Sequence, residues 1–465
     1  MSITSIRRAL APADIARIVS LALPITLGQL AVVGMTVTDV VIAGRASTDD
    51  LAAVTLGSTV FNLSIMVVIG VVLANSSIIG QARGEGSGAG VRRQFQNCLW
   101  LSAPLGLLAA ASIAVGIGVL AHIDTTPAIV TIAQGYLLPM LGSGFLMPFV
   151  LAFRTSFEGL GQARPAMALN LLGFLVNIPL DMALVQGWWG LPAMGGAGCG
   201  WATLVVMFLI VASQALYARY AASFARYRLF AGFARPQWSI IRKTLRVGLP
   251  IGGAILAEGG FFLLIPLLVA PLGAVVVSGH AVAITVDWMM FMVPLGISQA
   301  IAVLVANAIG QRDAVNARRV CATGLALTAS IALIQAMVVI LFRESIAALY
   351  SEDTGVRALA SHLLLYAAAF RVFDAINVGG NGALRGYQDT RITLVLALSA
   401  YWIVGFPLSY SLALTSVWGQ PMGVEGFWVG MVVTLALTAC LTTARVRRTS
   451  RRAIGIAAGG HPVNV

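Results

Sequence analysis

Apolar residues run through this chain in blocks of about 20 or more, separated by short polar joints. A helix needs about 20 mainly apolar residues to cross the hydrocarbon layer of a bilayer. Twelve segments meet that length: roughly residues 15–43, 51–80, 95–121, 128–153, 165–187, 192–218, 246–270, 276–309, 317–342, 355–383, 392–414 and 424–444. None shows the apolar–polar alternation that the strands of a membrane barrel require. The pattern predicts an all-α integral membrane protein of twelve transmembrane helices.

Composition agrees. Of 465 residues, 59% are hydrophobic and 10% charged, with a mean hydropathy of +0.91, whereas soluble domains carry about 25% charged residues. Length alone suggests roughly three domains, but a helical bundle in a membrane is one body. Cys98, Cys199, Cys321 and Cys440 are scattered singly and read as small apolar fillers. The start of the chain, basic and then apolar without a cleavage site of small residues, reads as a retained first helix rather than a signal peptide.

A net charge of +12 raises the prospect of a nucleic-acid partner, and the placement of the charges argues against one. With a cytoplasmic N-terminus, 25 of 29 basic residues fall on the inner side, among them Arg92, Arg93, Arg242, Lys243, Arg318, Arg319 and five arginines between 445 and 452. The outer loops hold Arg45, Arg343 and Arg357, and Arg371 lies within a helix. Such a split predicts both termini in the cytoplasm, as an even helix count requires; a multi-pass protein of the inner membrane is the expectation. The basic surplus then serves topology and contact with anionic lipid.

The chain also repeats itself. "LALPITLGQLAV" at 21–32 is similar to "VGLPIGGAILAE" at 247–258. "LANSSIIGQARGEGSGAGVRRQ" at 73–94 is similar to "VANAIGQRDAVNARRV" at 305–320, and "EGLGQARP" at 158–165 to "RGYQDTRI" at 385–392. The offsets span 226 to 232 residues. Six helices plus six, in the same orientation, predict two six-helix bundles related by a pseudo-two-fold axis along the membrane normal. The domains expected are an N-terminal lobe over 1–218, a basic linker over 219–245, a C-terminal lobe over 246–445 and a tail over 446–465. Two such lobes rocking about a cleft give alternating access a physical basis.

Five acids fall well inside the apolar segments: Asp39, Asp181, Glu258, Asp287 and Asp374. An ionised acid at mid-bilayer costs about 2.5–3.5 kcal/mol on insertion scales. Each must face water, pair with something, or hold a proton or cation. Asp374 shares a helical face with Arg371, Asn377 and Asn381, so a static ion pair is one reading. The "VGGNG" beyond it is expected to break or loosen the helix. Asn177 and Asp181 flank Pro179, which frees the carbonyl of Leu175; an ion site and an interhelical clasp both fit. Thr36 lies three residues before Asp39. Glu258 sits between glycines with no local partner. Glu352 and Asp353 read as loop or helix-cap acids. The run "DWMMFM" at 287–292 suits either an adaptable pocket or plain bundle core.

No Walker loop, HExxH or serine elbow is present, and His122, His280, His362 and His461 are far apart. An enzyme, an ATP-driven pump and an intramembrane metalloprotease are disfavoured, and no cofactor is expected. A gradient of H⁺ or Na⁺ is left as the driving force, and buried carboxylates are the groups that bind such ions.

The stretches "LPITLGQLAVVGMTVTDVVIAGR", "GLPIGGAILAEGGFF", "MVPLGISQAIAVLVANAIGQ" and "FDAINVGGNGALRGYQDTR" resemble, in order and over nearly the whole chain, the multidrug and toxic compound extrusion (MATE) transporters, NorM-like branch. The resemblance implies cation-coupled export of organic compounds, often cationic and aromatic, from a two-lobed bundle. It assigns ion coupling to Asp39, Asn177, Asp181, Glu258 and Asp374, with Na⁺ a candidate at Glu258 and Asp374. Some relatives carry a tyrosine one turn before the tenth-helix acid, where this chain has Phe370 with Arg371 beside it. That departure points to protons, or to a site centred on Asp39 and Asp181. Asp287, Phe262, Trp288, Phe291 and Asn377 are the candidate substrate contacts. The expected partners are the bilayer, drugs, dyes and other organic cations, and the expected unit is a monomer. A lipid-linked precursor flippase is the alternative, though its pyrophosphate cargo wants a cationic cavity. A channel or a structural membrane subunit is the third class.

Overall fold

The computed structural model describes residues 12–122, 126–190 and 192–457; Arg7, Arg8 and His461 lie outside them. Among the described residues there are twelve helices long and apolar enough to cross a membrane, and no strand. They are α1 (Pro12–Ala46), α2 (Thr48–Gly84), α3 (Gly88–Leu120), α4 (Pro127–Gly159), α5 (Ala163–Gln186) and α6 (Gly196–Tyr220), then α7 (Trp238–Val269), α8 (Ala274–Gly310), α9 (Ala314–Tyr350), α10 (Thr354–Gly386), α11 and α12 (Val424–Ala457). The α11 span, Arg391–Leu414, is interrupted: Leu398–Gly405 is π-helical between two α-helical pieces.

Each sequence-derived segment falls mainly on one helix, although α6 starts at Gly196 rather than at 192. The main differences are overruns: α7 starts at Trp238 and α12 runs to Ala457. The apolar window closes where arginines begin, but arginine is a good helix former and the turns continue. Part of 219–245 is therefore helical, with a single turn at Ala222–Ala225 and the start of α7. Several ends are set by side-chain caps. Ser47, Ser87, Asp313 and Asp353 accept the amides of Asp50, Gly90, Asn316 and Val356 at 2.8 to 3.0 Å and so start α2, α3, α9 and α10. Asp353 is thus the cap that its loop position suggested.

The described chain forms two compact units. The first is Pro24–Gly252; the second runs from Gly253 and also takes in α1 up to Leu23. In the first, α4 is the centre, packed by α2, α3 and α6, with Ile113, Tyr136, Leu137 and Val206 in its core. In the second, α10 holds that position, packed by α8, α9 and α12, around Phe261, Leu363, Phe370, Tyr401 and Trp428. The fourth helix of each half is thus the central one. Outward faces are apolar: Leu333, Ile334, Met337, Leu341 and Phe342 of α9 are all exposed. Water does not tolerate so large an apolar face, and lipid does.

The glycines of "VGGNG" do not break α10, which is continuous from Thr354 to Gly386. They let neighbours close in. A Cβ on Gly380 would lie 2.5 Å from Thr442 Cγ2, and one on Gly382 would collide with the carbonyl oxygen of Ser298 on α8. Small residues at such crossings let helix backbones approach in lipid.

Candidate functional site: buried acids in each unit

In the first unit, glycines again set the geometry. Gly34 of α1 leaves room for the ring of Phe174, and Gly173 of α5 for Ile210 and Met35. The close fit of α1, α5 and α6 brings Asp39, Asp181 and Cys199 together, with one ligand atom of each within 4.8 Å of the others. Asn177 Nδ2 donates to Asp181 Oδ2 at 2.8 Å, one turn apart on the same helix. Thr203 Oγ1 of α6 donates to Asp39 Oδ2 at 3.2 Å. Thr36, the neighbour that the sequence offered, is exposed. Asp39, Asn177 and Asp181 are all buried, and neither acid is ion-paired among the described residues. Oδ1 of Asp39, of Asp181 and of Asn177 has no hydrogen-bond donor. Three such oxygens and a hydroxyl match the oxygen preference of a hard cation, and the paired carboxylates equally match a shared proton. The Cys199 thiol is turned to the carbonyl of Asp39, 3.6 Å away.

The second unit is arranged differently. Arg371 is 1% exposed and sits between two acids. Its Nη1 donates to Asp374 Oδ2 at 2.7 Å, and its Nε to Asp287 Oδ1 at 2.9 Å. Its Nη2 donates to the Asp287 carbonyl at 3.1 Å and also meets Asp287 Oδ2. The guanidinium lies over the rings of Phe291 and Phe370, 5.6 and 5.7 Å from their centroids. Glu258 takes no part in these bonds. Its Oε1 accepts from Tyr401 Oη at 2.9 Å, and it stands within electrostatic reach of Asp374 and Arg371. The π-helical piece of α11 presents that tyrosine. Pro407 lacks the amide that would continue an α-helix, and the amide of Phe406 bonds back five residues to the Tyr401 carbonyl. Such widened turns recur at functional sites.

The remaining candidates are spread out. Phe262 is half-buried against Phe261, Phe370 and Tyr401. Trp288 is 53% exposed and meets Phe291 edge-on at 5.8 Å. Asn377 is buried between α10 and α12, where its Oδ1 accepts from Thr442 Oγ1 at 3.1 Å and from Asn381. Sequence reasoning missed Thr203 and Tyr401. The first carries no signal within α6. The second had one in Pro407, which marks where an apolar helix has to deform.

Comparison with known proteins bears on the whole chain. The MatE family model matches twice, over residues 24–183 and 250–411, at the spacing of the internal repeat. The multidrug resistance protein PmpM of Pseudomonas aeruginosa is 36% identical over 448 residues, covering 95% of this chain and 93% of that one. Among solved structures, a MATE protein in the bent conformation superposes with a TM-score of 0.87 at 20% identity, covering 98% of this chain and 100% of that one. The eukaryotic MATE transporter AtDTX14 gives 0.86 at 19% identity, covering 96% and 99%. At those identities the structures speak for the twelve-helix fold. The family model and the curated relative go further: this chain belongs to the MatE family, whose members are transporters and not enzymes.

Proposed function

We propose that this chain is a secondary active exporter of organic compounds, many of them cationic and aromatic, working in antiport with H⁺ or Na⁺ by alternating access. The relative PmpM, named a multidrug resistance protein, supports the cargo class. The observation that carries the coupling is the pair Asp39 and Asp181, two acids buried together whose Oδ1 atoms lack donors and which have no ion-pair partner among the described residues. One small cation relieves their repulsion. A ligand with different affinity for two conformations shifts the balance between them, so cation binding at this pair and drug binding elsewhere drive one cycle. Asn177 and Thr203 orient the two carboxylates. The expected setting is the inner membrane, as a monomer with both termini cytoplasmic, in line with the distribution of arginines. A lipid-linked precursor flippase is disfavoured: the charge well inside the apolar segments is five acids against Arg371, the wrong sign for a pyrophosphate.

The test is efflux of a cationic dye or a fluoroquinolone from proteoliposomes with imposed pH or Na⁺ gradients. Accumulation against the concentration gradient should follow one of those ions and vanish in Asp39→Asn and Asp181→Asn variants of normal abundance. Unchanged, gradient-driven efflux in both variants would remove the site assignment. Efflux that never exceeds equilibration would mean a channel.

A further inference from the structure

The sequence offered Na⁺ at Glu258 and Asp374, and the contacts of those residues do not fit it. We propose that Arg371 is a resident cation that excludes Na⁺ from the acids of the second unit and leaves Asp39 and Asp181 as the pair open to it. The proposal rests on the antiporter reading above and deepens it by naming the residue that keeps Na⁺ from the second unit.

The argument starts from the guanidinium. Arginine stays protonated in proteins, and its planar fork suits carboxylates on two sides. Here Nε, Nη1 and Nη2 all donate, to Asp287 from α8 and to Asp374 from its own helix. The side chain is 2% exposed, and Phe291 and Phe370 cover its faces. Asp374 therefore directs Oδ2 at a fixed positive charge. A Na⁺ drawn to that carboxylate would come within about 4 Å of the guanidinium. At an effective dielectric near 20, that repulsion opposes binding on the order of a thousandfold. Glu258 is the one acid here outside the guanidinium bonds, and its Oε1 already accepts from Tyr401. In the first unit the buried Arg154 pairs with Glu158 of its own helix, and Asp39 and Asp181 face each other without an ion-pair partner among the described residues.

Removing the arginine alone leaves two buried carboxylates uncompensated, which endangers folding. The decisive variant is Arg371→Met with Asp287→Asn, which deletes one positive and one negative charge together. It leaves Glu258 and Asp374 as an unblocked pair at unchanged net charge. Binding of radioactive Na⁺ to the purified full chain is measured in an Asp39→Asn background, so that only the second unit reports. With Arg371 present, Na⁺ binding should not respond to Glu258→Gln. The double variant should bind Na⁺ at least about tenfold more tightly, and adding Glu258→Gln should abolish the gain. Arg371→Lys, which keeps the charge, should gain nothing. Two results overturn the proposal: Na⁺ binding with Arg371 in place that Glu258→Gln removes, or a folded double variant with no gain. If gradient-driven efflux by the unaltered chain fails, the antiporter reading falls, while the Na⁺ comparison still decides the role of Arg371.

Discussion

Neutralising one member of the buried pair gives the sharpest test of the coupling site, and its size can be worked out. Ligand atoms of Asp39 and Asp181 lie within 4.8 Å of each other. Two unit negative charges at that separation repel by about 3 kcal/mol at an effective dielectric near 20. On the proposed coupling, a bound cation cancels that repulsion, and the relief supplies a large part of its affinity. Asp181→Asn removes the repulsion in advance, so cation affinity should fall roughly 100-fold. The readout is cation-dependent thermal stability of the detergent-purified full chain, as apparent Tm at a fixed scan rate. At a concentration 100 times the dissociation constant, a ligand stabilises by about 2.7 kcal/mol; a hundredfold weaker one at the same concentration contributes about 0.4 kcal/mol. The variant should therefore be nearly flat across a titration of whichever ion shifts the parent. In vesicles it should let substrate equilibrate without accumulating. If Asp181→Asn keeps the full cation-dependent shift, the pair is not where the ion binds.

Four further substitutions probe helix packing, the Glu258 hydrogen bond and a helix cap. Gly382→Ala drives a Cβ into the Ser298 carbonyl on the neighbouring helix and should destabilise by about 1–3 kcal/mol or more. Gly118→Ala in α3, with nothing within 4 Å, should be neutral or stabilising by under about 1 kcal/mol; equal melting curves for the two would contradict close α8–α10 packing. Tyr401→Phe removes the hydroxyl that bonds Glu258 at 2.9 Å and should cost about 1.5–3 kcal/mol if Glu258 is ionised. A double-mutant cycle with Glu258→Gln should be non-additive, and strict additivity would mean that the bond is not made in the membrane. Asp353→Ala removes the cap bond to Val356 and should lower stability by about 1 kcal/mol with transport intact; lost transport at normal abundance would give that loop acid a role beyond capping.

What the sequence revealed follows from what is local. Helix existence is a property of some 20 consecutive residues, and the acids stand out because lipid penalises them wherever they point. Partners are not local. Asp39 was expected beside Thr36 on its own helix, yet the hydroxyl it meets is Thr203, 164 residues on. Glu258 had no visible partner because Tyr401 is 143 residues away. Arg371 and Asp374 were legible as a pair since they sit three apart on one helix, whereas the Asp287 arm comes from α8 and was not. The glycines after Asp374 were ambiguous for the same reason. Flexibility and close packing call for the same residue, and only the neighbouring Ser298 and Thr442 decide between them.

The internal repeat sharpens the contrast between the two acid sites. At the offset of the "LP" motifs, Glu258 falls opposite Val32 and Asp39 opposite Ile265, so neither acid is a copy of the other. One pair of equivalent stretches shows how the divergence arose. "VNIPLD" at 176–181 of α5 aligns with "VGFPLS" at 404–409 of α11, proline on proline. Both prolines remove an amide inside a transmembrane span. In α5 the helix stays α-helical around Pro179, and the flanking Asn177 and Asp181 bond to each other one turn apart. In α11 their places are taken by Gly405 and Ser409, the turn before Pro407 widens to a π-helix, and the segment offers Tyr401 to a carboxylate on another helix. The duplicated scaffold supplies the same deformable point twice. The residues around it decide what that point presents: two carboxylates without an ion-pair partner among the described residues in the first half, and a tyrosine bonded to Glu258, near acids held by Arg371, in the second.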